Sequence, residues 1–185
     1  MLTEKGARDE QVIVLPNGVD DFWFNSPKAS KTDDQIRFLM VGRNEYCKGF
    51  HVLQEALSLL DEPIELHLVG DWPKINSTHH NVTYHGVVRD KHELMKIVDS
   101  CDVLLLPSLS EGMPTVVLEA KARGLQVIGT DVGAMSELQD DLLPPGDAKN
   151  LASAIREIGV GTMQSDLPVH YKWEEIARWT FDALI

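Results

Sequence analysis

The chain has 185 residues, of which 43% are hydrophobic and 25% are charged, and its formal net charge is −12. A chain of this length and composition can form one sizeable globular domain with its own buried core. The excess of acidic residues argues against nucleic acid and anionic membranes as partners, so an anionic ligand would have to be held by a local cluster of cations.

Cysteine usage and hydropathy narrow the class of protein further. The two cysteines, Cys47 and Cys101, lie far apart in the sequence. They predict neither a disulfide framework nor a zinc site, which is typical of a reducing compartment. No apolar run approaches the roughly 20 residues that a membrane-spanning helix needs, and residues 1–10 lack the apolar core of a signal peptide. We therefore expect a cytoplasmic protein.

Strand-like apolar runs alternate with helical patterns along the chain. We predict strands at residues 11–15, 36–41, 64–69, 82–85, 102–106, 126–129 and 142–143. We predict helices at residues 49–60, 90–100, 114–123 and 148–158, and from residue 172 onward. Several of the strand runs are continuously apolar, as in strands buried on both faces of a parallel sheet. The alternation predicts a Rossmann-like α/β fold, a doubly wound parallel sheet of about six strands.

Polar segments follow the predicted strands, and in a parallel sheet they all belong to the edge where ligands bind. Arg43 and Lys48 follow the strand at 36–41 and are the cations of this edge. A guanidinium offers a bidentate fork for phosphate, and an ammonium offers a mobile point charge. Gly42 and Gly49 flank the two cations and let the backbone approach a ligand closely. The alternative is a pair of exposed surface cations without a ligand.

The segment Ser-Glu-Gly-Met-Pro-Thr-Val-Val-Leu-Glu-Ala at residues 110–120 is the most informative part of the sequence. Pro114 suits the first position of a helix, because its φ is already set and its missing N–H would have no partner there. The N–H groups of Thr115, Val116 and Val117 would then be free at the positive end of the helix dipole. Such a helix start is a ready site for a phosphate or a diphosphate.

Two glutamates lie on either side of this helix start. Glu111 comes just before it and Glu119 about one turn inside it, so both can reach a ligand on the helix end. Carboxylates accept hydrogen bonds from hydroxyls but repel phosphate. The predicted ligand therefore has an anionic middle and hydroxylated ends, as a nucleotide-sugar has. The alternative is an ordinary turn before a helix, with both acids in solvent.

Other nucleotide and metal motifs are missing from the sequence. No Gly-x-Gly-x-x-Gly follows a predicted strand, which argues against a nicotinamide dehydrogenase. There is no phosphate-binding P-loop, and there is no Asp-x-Asp pair of the kind that many metal-dependent sugar transferases use. His79 and His80 are adjacent and would face opposite ways, which argues against a metal site at this pair. We expect neither a metal nor another cofactor. We assign packing or surface roles to His51, His67, His92 and His170.

Several short motifs occur together in a fixed order. They are Asn17-Gly18-Val19-Asp20, Gly42-Arg43, Lys48-Gly49, Gly70-Asp71, Gly86-Val87, Pro107-Ser108 and Glu111-Gly112-x-Pro114 with Glu119. With this combination the chain, from about residue 12 to its end, resembles the donor-binding half of the retaining group 1 (family four) glycosyltransferases. Members of that family have the GT-B fold, in which two Rossmann-like domains face each other.

The resemblance implies a role for each matching residue. Arg43 and Lys48 would bind the diphosphate of the donor and, in place of a metal, neutralise its charge as the glycosidic bond breaks. Glu111 would contact the donor sugar and Glu119 the ribose hydroxyls, so that Arg43, Lys48 and Glu111 would be the catalytic residues. The other donor contacts would come from Gly42, Gly86, Val87, Val88, Gly112, Met113, Pro114, Thr115 and Val116.

The resemblance also implies a division of the chain. Residues 1–35 would form the interdomain connection and first strand, residues 36–171 the nucleotide-sugar-binding domain, and residues 172–185 a helix that packs toward the N-terminal domain. That N-terminal domain is missing here and normally supplies the acceptor site, so the fragment is expected to bind donor without transferring sugar. Trp72 stands where the family usually has a glycine, which weakens the case for a donor contact from its loop.

The predicted function is transfer of a hexose-type sugar from a nucleoside-diphosphate sugar to a glycan or glycolipid acceptor, in polysaccharide assembly in a bacterial cytoplasm. Nucleic acid is not an expected partner. No transmembrane segment is expected, and peripheral membrane contact of the full-length enzyme stays open. Two other functions also stay open. One is half of a sugar-nucleotide epimerase, which holds a diphosphate between two such domains, and the other is a non-enzymatic nucleotide-binding module.

Overall fold

A computed structural model describes residues 6, 8, 12–28, 33–139, 142–158 and 171–184 of the chain. Within these residues the α-helices are α1 (Asp21–Asn25), α2 (Phe50–Ser58), α3 (Lys91–Asp99), α4 (Thr115–Ala122), α5 (Ala148–Glu157) and α6 (Trp173–Leu184). The strands are β1 (Arg37–Val41), β2 (Glu65–Val69), β3 (Asn81–Gly86), β4 (Val103–Leu106), β5 (Gln126–Thr130) and β6 (Leu142–Leu143). Short 3₁₀ helices cover Tyr46–Lys48 and Met135–Glu137.

These strands form one sheet in the order β3-β2-β1-β4-β5-β6, and every neighbouring pair is parallel. The chain winds from β1 to one side through β2 and β3, and then to the other side from β4 to β6. The loops that follow β1 and β4 therefore diverge, and a crevice opens between them at the carboxyl ends of the strands. The predicted Rossmann-like doubly wound sheet is confirmed.

The predicted first strand at residues 11–15 is wrong over the part that the structure describes. Residues 12–15 have no regular secondary structure there, and the Val14 side chain is 79% exposed. An apolar run becomes a strand only where a neighbouring strand and a core stabilise it. The short helix α1, which the prediction missed, follows instead and begins where Asp20 accepts a hydrogen bond from the Phe22 N–H.

Both faces of the sheet are covered, which explains its continuously apolar strands. Along β4, Leu104 and Leu106 belong to one core cluster, and Val103 and Leu105 belong to the other. The first cluster includes residues of α1, α3 and α4, and the second includes residues of α2 and α5. A strand between two helical layers has no solvent side, so every side chain is apolar.

Arg123, directly after α4, lies in the core. Its guanidinium is bidentate to Asp99, with Nε 2.7 Å from Oδ1 and Nη2 2.8 Å from Oδ2, and both side chains are 2% exposed. It also donates to the backbone carbonyls of Trp23, Ser26 and Pro27. One buried side chain thus ties the segment around α1 to the ends of α3 and α4.

The start of α6 is attached to the N-terminal segment. Val19 forms a parallel bridge with Lys172, and the Trp173 ring lies so close to Gly18 that a Cβ there would come within 2.6 Å of it. Ile176 of α6 is buried. The exposed aromatic side chains of α6 are Trp173, Trp179 and Phe181. Over the described residues, no helix has both the length and the apolar composition to span a bilayer.

Candidate functional site

Lys48 and Glu111 form an ion pair at the crevice between β1 and β4. The Lys48 ammonium lies 2.8 Å from Glu111 Oε1 and 3.0 Å from Oε2. The lysine side chain is 23% exposed and the glutamate side chain is 7% exposed. The sequence predicts both residues at the same edge of the sheet, although they are 63 positions apart, and the structure brings them into contact.

Gly49 allows the loop after β1 to lie directly on the loop after β4. Its φ is +69°, and a Cβ at this position would lie 1.8 Å from the carbonyl oxygen of Pro107. The two loops are also joined by a hydrogen bond of 2.7 Å from the Leu109 N–H to the Cys47 carbonyl. The sequence predicted that Gly49 lets the backbone approach a ligand, but in the structure the close neighbour of Gly49 is Pro107. This contact places Lys48 over the residues that follow β4.

Buried hydroxyls support Glu111 from within the domain. Ser108 Oγ donates to Glu111 Oε1 over 2.7 Å, and Thr130 Oγ1 donates to the Ser108 carbonyl. Ser108 is 0% exposed and Thr130 is 3% exposed. Sequence reasoning gave neither residue a role. The sequence signal that could have identified Ser108 and Thr130 is a polar residue at, or just after, the end of a continuously apolar strand.

The Gly112-Met113 turn before α4 is fixed from two sides. Asn17 Nδ2 donates to the Met113 carbonyl over 2.8 Å, and the Ala134 N–H donates to the Gly112 carbonyl over 2.8 Å. Gly133 has a φ of +59°, and a Cβ there would lie 2.2 Å from the Gly112 carbonyl oxygen. Segments far apart in the sequence therefore hold this turn, and sequence reasoning did not assign that role to Asn17.

The start of α4 lies one residue later than predicted. Pro114 is the N-cap, with φ −75° and ψ 114°, and Thr115 is the first helical residue. The prediction of a free Val117 N–H is wrong, because that group donates to the Pro114 carbonyl over 3.1 Å. The N–H groups of Thr115 and Val116 form no hydrogen bond with another described residue. They remain available to a ligand at the helix end.

Arg43 does not join the Lys48–Glu111 pair. Its side chain is 82% exposed, and its guanidinium lies 3.2 Å from Glu45 Oε1. The loop that carries it is fixed elsewhere, since Asp71 Oδ1 accepts a hydrogen bond of 3.0 Å from the backbone N–H of the next residue, Asn44. The two cations that the sequence places at one edge thus lie in different surroundings, one paired in the crevice and one in solvent.

Trp72, the residue that departs from the family's pattern, is part of the core. It is 6% exposed, stacks on Phe50 with 5.1 Å between ring centroids, and donates from Nε1 to the Val69 carbonyl. The ring lies below Gly42, where a Cβ would be 3.3 Å away. The large side chain thus supports the loop after β1 from inside.

The segment after β3 has one exposed side chain, Val87, and one partly buried side chain, Val88. Gly86 ends the strand with a φ of +67°, and its carbonyl accepts a hydrogen bond of 2.7 Å from the Gly70 N–H. Val87 is 63% exposed, whereas Val88 packs against the core cluster that contains α3. Of the predicted base contacts, Val87 is therefore the side chain that a ligand can reach from solvent.

Glu119 is a desolvated acid on α4. Burial raises the pKa of its carboxyl from 4.5 to about 7. The carboxyl forms no hydrogen bond or ion pair with another described residue. A buried acid of this kind stays protonated unless a donor satisfies its charged form. A hydroxyl-bearing ligand would supply such donors.

We expect Glu119→Gln to make the stability of the domain less dependent on pH. The native state holds the Glu119 proton up to about pH 7, whereas the unfolded chain releases it near the ordinary carboxyl pKa of 4.5. Within this window the native state binds more protons, so the stability of the wild type falls as the pH rises, by up to about 3 kcal/mol.

Urea unfolding at pH 5 and pH 8 measures this effect. The quantity to compare is the free energy of unfolding of Glu119→Gln minus that of the wild type. This difference should be more positive at pH 8 than at pH 5. Glu157→Gln is a matched control, because Glu157 is exposed at the end of α5. Equal pH dependence in the wild type and Glu119→Gln would contradict the burial of this acid.

A histidine pair on β2 and β3 was not predicted. His67 Nδ1 lies 3.0 Å from His85 Nε2, and His67 Nε2 lies 3.5 Å from Glu65 Oε1. Desolvation, and then the neighbouring His67, lower the pKa of His85. Over the residues that the structure describes, no group of three or more His, Cys, Asp or Glu side chains is placed to hold a metal ion.

Comparison with known protein sequences identifies a family. A family model described as glycosyl transferases group 1 matches residues 35–159. One relative is a protein of Bacillus subtilis (strain 168) that is named as the teichuronic acid biosynthesis glycosyltransferase TuaC. The chain is 37% identical to it over 158 residues, which cover 77% of this chain and 40% of the relative. It is 26% identical over 183 residues, 86% of its length and 45% of the relative's, to the amylovoran biosynthesis glycosyltransferase AmsK of Erwinia amylovora. The chain spans less than half the length of both relatives.

Solved structures share the fold. Anabaena Alr3699/HepE, crystallised with UDP and glucose, matches with a TM-score of 0.77 and 20% identity over 98% of this chain and 59% of that chain. Sucrose-phosphate synthase from Thermosynechococcus elongatus matches with a TM-score of 0.74 and 23% identity over 94% of this chain and 52% of that chain. The sheet and its helices are therefore those of a GT-B glycosyltransferase, over the part of such an enzyme that the chain covers.

Proposed function

The chain belongs to the group 1 glycosyltransferases, and we propose that it binds a nucleoside-diphosphate sugar in the crevice between β1 and β4. In the full-length enzyme the sugar, of hexose type, is transferred with retention of configuration to a glycan or glycolipid acceptor. The names of the two sequence relatives place one in teichuronic acid biosynthesis and the other in amylovoran biosynthesis. That supports a role in polysaccharide assembly, which we assign to a bacterial cytoplasm.

One observation carries this proposal, namely the partly buried Lys48 ammonium at the crevice. In a chain with a net charge of −12, a cation in such a position favours an anionic ligand. The free N–H groups of Thr115 and Val116 follow Glu111, the partner of Lys48, by a few residues. A diphosphate on the start of α4 would accept hydrogen bonds from these amides and from the ammonium.

The two glutamates suit the hydroxylated ends of the donor. Glu119 has no partner among the described residues, and two hydroxyls of a ribose would satisfy its charged form and lower its pKa from about 7. Glu111 would accept hydrogen bonds from hydroxyls of the donor sugar. The exposed Val87 would lie against the base.

Charge stabilisation is the chemistry that these residues would provide. Negative charge grows on the diphosphate as the glycosidic bond breaks, and fixed cations lower the energy of that state. Lys48 would provide one cation. Arg43 would provide the second by leaving Glu45, because an exposed ion pair of this kind is worth at most about 1 kcal/mol. The proposal includes no metal or other cofactor.

The exposed aromatic side chains of α6 support a two-domain enzyme. We assign residues 1–35 to the interdomain connection, residues 36–171 to the donor-binding domain, and residues 172–185 to a helix that packs toward the N-terminal half. Trp173, Trp179 and Phe181 are 51%, 57% and 66% exposed on α6. That half would provide the acceptor site, so the chain by itself would bind donor without transferring sugar.

Calorimetric titration of the chain with UDP, GDP and ADP tests the proposal. We expect one of the three to bind with a measurable enthalpy, which would also identify the base. The heat-unfolded chain is the control for non-specific heats. A folded chain that binds none of the three would overturn the proposed function.

A further inference from the structure

We propose that Ser108 is a positioning residue, which keeps Glu111 in place when the diphosphate of the donor takes Lys48 away from it. This inference rests on the proposed function. It adds an exchange of the hydrogen-bond partners of Glu111, which takes place only when a donor binds and in which the buried hydroxyls of Ser108 and Thr130 take part.

The Glu111 carboxylate has two sources of hydrogen bonds in the free structure. Lys48 Nζ donates to both of its oxygens, at 2.8 and 3.0 Å, and Ser108 Oγ donates to Oε1 at 2.7 Å. Two of these three bonds come from Lys48, so the carboxylate depends mainly on Lys48 for its hydrogen bonds, and Ser108 provides the remaining one. In the free structure Lys48 is paired with Glu111, so its positive charge is already partly neutralised and is not fully available to a phosphate.

Binding of a donor would remove the stronger of these two partners. A diphosphate carries more negative charge than one carboxylate, so it would draw the Lys48 ammonium toward itself. The same negative charge would repel Glu111. Without another donor the carboxylate, 7% exposed in the free structure, would lose its bonds and turn away from the sugar.

Ser108 is placed to prevent this turn. It is 0% exposed, so its hydroxyl has no water to exchange with and keeps its bond to Glu111. Its backbone is held in turn, because the Thr130 hydroxyl donates to the Ser108 carbonyl and lies 3.4 Å from the Leu106 carbonyl. One oxygen of Glu111 would thus stay on Ser108, and the other would be free to accept from the sugar.

Measurement of UDP and UDP-glucose affinities of the chain tests this inference. Loss of one hydrogen bond to a charged group lowers affinity by roughly tenfold or more. We therefore expect Ser108→Ala to reduce the affinity for UDP-glucose by about tenfold and the affinity for UDP by less than about twofold. A general structural defect would weaken both ligands equally, and that result would overturn the inference. Thermal unfolding of the variant establishes that it is folded.

If Ser108→Ala does not fold, two variants of Thr130 test the same inference. Thr130→Val removes the hydroxyl but keeps the shape, and it should lower the ratio of UDP-glucose affinity to UDP affinity as Ser108→Ala does. Thr130→Ser keeps the hydroxyl and should restore the wild-type ratio. An unchanged ratio in Thr130→Val would contradict the support that Thr130 gives to Ser108.

Glu111→Gln tests the exchange of partners itself. The amide cannot compete with a diphosphate for Lys48 as a carboxylate does, so this variant should bind UDP about threefold more tightly, or better, than the wild type. Equal or weaker UDP binding would overturn the exchange. Wild-type chain that binds neither UDP, GDP nor ADP would instead overturn the proposed function, so the two failures are distinguishable.

Discussion

Lys48→Ala is expected to abolish most of the donor chemistry of this protein. The structure pairs the Lys48 ammonium with Glu111 in the crevice, whereas the Arg43 side chain is exposed. In the proposed complex, loss of the ammonium would remove both a charge-assisted hydrogen bond to the diphosphate and a cation that stabilises the leaving group. We expect nucleoside-diphosphate affinity of the chain to fall by about tenfold or more. We expect turnover of the proposed two-domain enzyme to fall by about 10²–10³.

Two controls separate this effect from unfolding and from a general change in charge. Lys149→Ala removes the same charge from an exposed position on α5 and should leave binding unchanged. Lys48→Met combined with Glu111→Gln leaves no unpaired buried carboxylate, so it should be as stable as the wild type and still bind diphosphate poorly. Near-wild-type turnover in Lys48→Ala would defeat the assignment of Lys48.

Arg123→Met is expected to have the largest effect on stability. The substitution removes the guanidinium that is bidentate to the buried Asp99 carboxylate, and it removes the donor to the carbonyls of Trp23, Ser26 and Pro27. Breaking a buried ion pair by removing one partner costs about 3–5 kcal/mol. Because Arg123 joins three segments, the loss should appear in urea unfolding as a lower midpoint for the whole domain.

A double variant and a surface variant test the cause of this loss. Arg123→Met with Asp99→Asn removes the buried charge that Arg123 pairs with and should recover part of the lost stability, since the hydrogen bonds to the carbonyls stay broken. Arg178→Met removes an arginine whose ion pair with Glu175 is exposed, and it should change stability by less than about 1 kcal/mol. If Arg123→Met were as stable as Arg178→Met, the buried pair would have no structural importance.

Much of the fold could be predicted because the signals are local. Each predicted strand from residue 36 onward is present, with its ends shifted by a residue or so. The continuously apolar run of β4 predicted a strand covered on both faces, and its side chains do belong to two core clusters. The run at 11–15 has the same local signal but no neighbouring strand, so its prediction was wrong over the described residues.

The candidate site could be predicted only in part. Parallel strands bring the residues that follow them to one edge, so Lys48 and Glu111 were expected near each other. The direction of a side chain is not a local property, and for this reason Arg43 was expected beside Lys48 although it lies in solvent. The roles of Ser108 and Asn17 were missed, because each depends on a hydrogen bond to a turn whose path is set by packing.

The amino-acid sequence by itself determined the order and type of the main elements, the edge of the sheet where polar residues collect, and membership of a glycosyltransferase family. It could do so because hydrophobic periodicity and motif spacing are local properties of the sequence. Only the tertiary structure decided which charges meet. Lys48 pairs with Glu111 across 63 positions, and Arg123 pairs with Asp99 across 24 positions. Such contacts depend on how loops and helices pack against each other, and packing is a property of the whole fold.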